Sequence, residues 1–128
     1  MKNLLKFLVC IALFAFFSST KGYSQSEVIK QFAENLQQGR TDELVKNFSD
    51  KVELNFDGDR KSVSKSESIS LFNAFMGKHP LTKFEYVHKG SAGSSGFAIA
   101  KYIGGDGSYR VVIKTEGNLI EKIDITKE

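Results

Sequence analysis

The sequence predicts an α+β domain, with N-terminal helices packed on one face of a single antiparallel sheet. Up to Pro80 the apolar residues recur mainly at helical spacing, and beyond it the chain is β-rich runs of six to eight residues parted by turns. Helices followed by a meander of hairpins give that layered arrangement. No repeat, proline-rich linker or composition break interrupts residues 25–128, so they read as one domain.

Residues 1–24 read as a cleavable secretory signal peptide. Met1 to Lys6 is a short basic start, Phe7 to Phe17 an unbroken apolar run, and Ser18 to Ser24 a small and polar stretch. Eleven apolar residues make a helix of about 16 Å, too short for a hydrocarbon core of about 30 Å. Gly22 and Ser24 place small side chains before a cut at Ser24–Gln25. Export to the periplasm or beyond, with no stable membrane anchor after cleavage, is therefore expected.

Processing changes the charge argument. Three of the eighteen basic residues, Lys2, Lys6 and Lys21, lie in the leader, so fifteen remain against fifteen acidic residues and the net charge falls from +3 to zero. A neutral domain has no electrostatic footprint for a phosphate backbone, which excludes nucleic acid as the expected partner. The single cysteine, Cys10, also leaves with the leader. The mature domain then has no disulfide, no thiol nucleophile and no thiolate metal site.

Taken in order, Ser26 can cap a helix whose apolar stripe is Val28, Ile29, Phe32, Ala33 and Leu36, closed by Gly39. Thr41 is expected to cap a shorter helix, with Asp42 and Glu43 in its first turn and Leu44, Val45 and Phe48 facing inward. Lys51 to Asp57 alternates as a half-buried strand, turned by Asp57-Gly58-Asp59. Ser64-Lys65-Ser66-Glu67 is a capping box opening a third helix, with Ile69, Leu71, Phe72, Phe75 and Met76 inward and an end before Gly77 and Pro80. Phe84–Lys89, Gly96–Ile103, Ser108–Lys114 and Leu119–Ile125 are the meander strands.

This order of elements resembles the nuclear transport factor 2-like superfamily, the cystatin-like fold. More narrowly, the chain resembles the bacterial exported family of unknown function numbered 4783. The likeness is carried by Val63-Ser64-Lys65, Phe84, His88-Lys89-Gly90, Ala98-Ile99-Ala100, Tyr109-Arg110-Val111 and Ile123-Asp124-Ile125. It implies a strongly curved sheet wrapped against helices into a cone, often with a pocket at the wide end. Its members include isomerases, dehydratases and epoxide hydrolases beside binding and dimerising modules, so the fold does not choose between them.

An isomerase or dehydratase needs a carboxylate base and a donor converging in an apolar pocket. Asp57 and Asp59 flank a turn glycine, and Glu85, Glu116, Glu121 and Asp124 alternate with apolar residues or sit at turns, so no acid lies in an apolar run. His79, before Pro80, has a structural reason to sit at a helix C-terminus. His88 falls at strand spacing from Phe84 and Tyr86, and Tyr86 and His88 would line a pocket if that face is the concave one. Tyr102 and Tyr109 are further candidates for holding a ligand. Two histidines nine residues apart make no metal signature, and no cofactor is expected.

The first reading is an exported, non-catalytic module that binds a small apolar or amphipathic ligand, or a protein partner, through its cone. A small isomerase or hydro-lyase of the same fold is the alternative. A dimerisation module, a homodimer through the sheet, is the third.

Overall fold

The computed structural model describes residues 25–128; the leader and Cys10 lie outside the described residues. Helix α1 spans Gln25–Gln37, α2 Thr41–Leu44 and a 3-10 turn Val45–Asn47. Strands β1 (Phe48–Phe56) and β2 (Asp59–Val63) precede α3 (Lys65–Lys78). Strands β3 (Leu81–Ala92), β4 (Ser95–Gly104), β5 (Gly107–Glu116) and β6 (Leu119–Lys127) complete the chain. The strands form one six-stranded sheet in the order β2-β1-β6-β5-β4-β3. The meander is antiparallel throughout, whereas β1 lies parallel to β6.

One face of the sheet is dry. Ala98, Ala100 and Tyr102 of β4, Tyr109, Val111 and Ile113 of β5, and Ile123 and Ile125 of β6 alternate into the core. Helix α1 lies against β3, β5 and β6, and α3 against β1. Val28, Ile29, Phe32, Ala33 and Leu36 are all buried, as the stripe in α1 requires. Phe32, Phe48 and Phe72 meet with centroids 6.0 to 6.3 Å apart, and Phe56 joins through Phe72 at 5.4 Å and Phe75 at 5.2 Å. The sheet is curved and open. Register breaks insert an extra residue in each of two strands, Val87 in β3 and Glu121 in β6 opposite Lys114 and Thr115, and such bulges bend a strand and raise its twist.

Several sequence expectations are corrected. Strand β2 has no counterpart in the sequence reading, because four of its five residues are exposed and polar and show no alternation. Thr41 opens α2 rather than capping it; Arg40 holds the cap position with no side-chain hydrogen bond, and Thr41 is buried. Helix α3 runs through Gly77 to Lys78. The Ser64 hydroxyl caps it, accepting from the Glu67 amide at 3.3 Å, but the Glu67 carboxylate takes the Ser64 hydroxyl at 3.2 Å. Only one half of the capping box is therefore formed. Among the described residues no helix is long and apolar enough to cross a membrane.

Candidate functional site

At one rim of the sheet, the end of α3, the β1–β2 turn and the start of β5 enclose a cleft of about 370 Å³. Phe56, Leu71 and Phe75 form its apolar wall; His79 and Tyr109 lie on its polar side, with Asp57 and Asp59 balanced by Lys78 and Lys127. Such a mixture, apolar with a few polar groups, is the usual character of a small-molecule site.

His79 is the centre of the polar side. Pro80 follows it and cannot continue the helix, so His79 takes the C-cap position and its amide donates to the Phe75 carbonyl at 2.8 Å. Its own carbonyl accepts the Tyr102 hydroxyl. The ring packs on Phe75 at 4.8 Å and Tyr109 at 5.1 Å. Nδ1 lies 2.6 Å from the Asp106 carboxylate and 3.0 Å from the Tyr109 hydroxyl oxygen. Tyr109 also donates to the same carboxylate oxygen at 3.4 Å.

The chemistry of the donor set decides the tautomer. An ionised carboxylate can only accept, so the imidazole proton sits on Nδ1 and the neutral ring carries its lone pair on Nε2. Nε2 makes no hydrogen bond among the described residues. The hydrogen bond from His79 holds the Asp106 carboxyl below the usual aspartate range, partly opposed by desolvation. Burial pushes Tyr102 up to about 12, with Asp106 and Tyr109 adding to the shift. Tyr109 is raised by burial first and by Asp106 second. Both tyrosines therefore stay protonated donors at neutral pH, and both donate within the protein.

Gly104 lets the β4–β5 turn approach this corner. A Cβ there would stand 3.1 Å from the Pro80 carbonyl oxygen and 3.2 Å from Asp106 Oδ1. Asp57, at φ 51°, serves the β1–β2 turn as its sequence suggests: its amide donates to Ile125 at 2.6 Å and its carboxylate accepts from the Lys127 amide at 3.2 Å.

Of the four residues singled out from sequence, the structure brings two together here. Tyr102 and Tyr109 lie 6.0 Å apart by ring centroid, Tyr102 wholly buried and Tyr109 at the cleft. Tyr86 lies elsewhere on the helix side of the sheet, where its hydroxyl donates to the Ile29 carbonyl at 2.8 Å and ties β3 to α1. Burial raises it to about 12, with Glu34 contributing. Lys89 Nζ sits 3.9 Å from its ring centroid. His88 does not share its face. Tyr86 pairs with Ala100, but His88 pairs with Ile99, so the bulge at Val87 turns His88 to the outer side, where it meets Phe97 at 5.5 Å. The Gly90–Gly96 segment beside it is mostly paired strand with a two-residue turn, Gly93-Ser94.

The residues that sequence reasoning passed over are His79 and Asp106. Each has an ordinary local reason for its place, a helix end and a glycine-rich turn, and no spacing links them. Among the described residues no three His, Cys, Asp or Glu side chains are grouped to hold a metal ion.

Residues 29–126 match the family model described as Domain of unknown function (DUF4783). A DUF4783 family protein from Bacteroides ovatus is 27% identical and superposes with a TM-score of 0.71, covering 77% of this chain and 93% of its own. A cystatin-fold protein from Novosphingobium aromaticivorans is 20% identical at TM-score 0.66, over 83% of this chain and all of its own, 100%. An NTF2-like protein from Cytophaga hutchinsonii is 12% identical at TM-score 0.63, over 85% and 94%. These last two likenesses establish the fold, nuclear transport factor 2-like or cystatin-like, and nothing further. No curated protein matches the chain.

Proposed function

The chain belongs to the DUF4783 family, and from that premise we propose that it is an exported, non-catalytic module that holds a small amphipathic molecule in the rim cleft. The observation that carries this reading is the His79 ring. Asp106 accepts a hydrogen bond from its Nδ1 at 2.6 Å, which leaves Nε2 as an acceptor beside the apolar wall of Phe56, Leu71 and Phe75. A ligand with an apolar body and one hydroxyl or amide donor fits that pairing.

The same Asp–His pair is what a general base requires, and this supports the isomerase or hydro-lyase alternative. An enzyme of that kind also needs a donor for the developing oxyanion. The hydroxyls of Tyr102 and Tyr109 both donate to groups of the protein, which favours binding over catalysis.

Mass spectrometry of the mature domain purified from its own host tests the reading. A small molecule should accompany the wild type and be lost from His79→Ala and Leu71→Arg at unchanged far-UV circular dichroism. A ligand that stays with both variants would sink the cleft as the site. The same spectra should place the mature N-terminus at Gln25 within a residue or two; retention of residues 1–24 in the exported protein would refute export by cleavage.

A further inference from the structure

Tyr102 carries a polar group into the core where the sheet meets the end of α3. Its side chain is wholly buried and lines no part of the rim cleft, so it does not touch a ligand there. Its ring stands 5.3 Å by centroid from Phe75 and 6.0 Å from Tyr109, both of them cleft residues. Its hydroxyl donates to the His79 carbonyl. A phenylalanine would fill the same apolar space, so the bond to that carbonyl is what the hydroxyl adds.

The His79 carbonyl needs such a partner. The last carbonyls of a helix have no intrahelical donor, and His79, at φ −130°, has already left the helical conformation. Its amide is held by α3 through the Phe75 carbonyl at 2.8 Å. Tyr102 holds its carbonyl from β4. The His79 backbone is thereby fixed by a helix on one side and the sheet on the other. The same end of β4 leads into the turn that carries Asp106, whose carboxylate meets Nδ1 at 2.6 Å. One strand end therefore sets both where the imidazole stands and which of its nitrogens bears the proton.

We infer that Tyr102 is a positioning residue of the rim cleft, acting on a bound ligand through the His79 backbone. The inference rests on the proposed reading, in which Nε2 accepts a hydrogen bond from the ligand. Hydrogen bonds weaken steeply as their angle closes, and a donor left unpaired against an apolar wall is costly. Without the Tyr102 hydroxyl the carbonyl is free to turn, and the imidazole swings with it. Tyr86 supplies the comparison. Its hydroxyl also donates to the backbone carbonyl of a helical residue, Ile29 at 2.8 Å, but on α1 and away from the cleft.

The probes are phenol and toluene, which share a shape and differ by one donor. They are titrated into the isotope-labelled domain at about 15 °C, near the usual maximum of stability. Wild type should bind phenol about three- to tenfold more tightly than toluene, as one hydrogen bond allows, with shifts at the Leu71, Phe75 and Tyr109 amides. In Tyr102→Phe the two affinities should fall within about twofold of each other, with that of toluene unchanged. Tyr86→Phe should keep the full ratio although it loses a comparable bond. Imidazole nitrogen spectra should show His79 protonated at Nδ1 in wild type and Tyr86→Phe, and a mixture of tautomers in Tyr102→Phe. Retention of either the ratio or the Nδ1 signature in Tyr102→Phe overturns the inference and leaves the cleft reading standing. An equal collapse of the ratio in Tyr86→Phe overturns it as well, since lost stability would then account for both. Equal binding of phenol and toluene by wild type, or no shift at the cleft amides, overturns the reading itself and the inference with it.

Discussion

His79 and Asp106, 27 residues apart in the chain, meet at 2.6 Å and close the corner between the end of α3 and the β4–β5 turn. The contact joins a helix terminus to the sheet and orients the one imidazole of the rim cleft. Its consequences are measurable in stability as well as in binding.

Asp106 should give the domain an acid-sensitive component. Its carboxyl ionises below the ordinary value of 3.8 in the folded state. The stabilisation is therefore complete above that value and is lost as pH falls below it, through the folded pKa. Thermal melts of wild type and Asp106→Asn should differ at pH 6 to 7 (roughly, the neutral side of that titration) and converge under acid. A difference that persists undiminished below about pH 3 would assign it to something other than this carboxylate.

Alkali should act on the opposite side. Tyr86 and Tyr102 are both raised to about 12 from 10.0. Their stabilising effect is present below the unfolded value and fades as pH climbs towards the folded one. Tyr86→Phe and Tyr102→Phe should each blunt the loss of stability between those limits. At neutral pH each should cost about 1 to 3 kcal/mol, because a backbone carbonyl, of Ile29 or of His79, loses its donor. Tyr86→Phe should leave ligand in the rim cleft untouched.

Phe72 touches Phe32, Phe48 and Phe56 and is fully buried. Phe72→Ala should lower the free energy of unfolding by about 3 to 5 kcal/mol in a urea titration. A loss under about 1 kcal/mol would contradict the packing described for α3.

Gly104→Ala should loosen the corner without touching the cleft wall. The added methyl stands at 3.1 Å from backbone at Pro80 and 3.2 Å from Asp106, so the turn has to move and the Asp106–His79 bond with it. The His79 imidazole resonances, followed by two-dimensional NMR, should lose the signature of a hydrogen-bonded Nδ1 proton. An unchanged Nδ1 resonance would show that the turn absorbs the methyl elsewhere.

The residue pattern alone determined much of this architecture. Period-2 alternation marks β4, β5 and β6 and already tells which of their residues go inside, because one face of each strand is dry and the other wet. The stripe of α1 and the serine at the start of α3 are equally local signals. What pairing and packing decided lies beyond any such window. Strand β2 is polar on both sides and exists because β1 offers it an edge, Val52 through Phe56 pairing with Val63 through Asp59. The parallel β1–β6 contact joins opposite ends of the domain. His88 shows the limit most clearly: its spacing from Tyr86 promises a shared face, but a bulge set by the register with β4 reverses it. His79 and Asp106 complete the point, since each obeys its own local rule and only the closing of the sheet against α3 makes them neighbours.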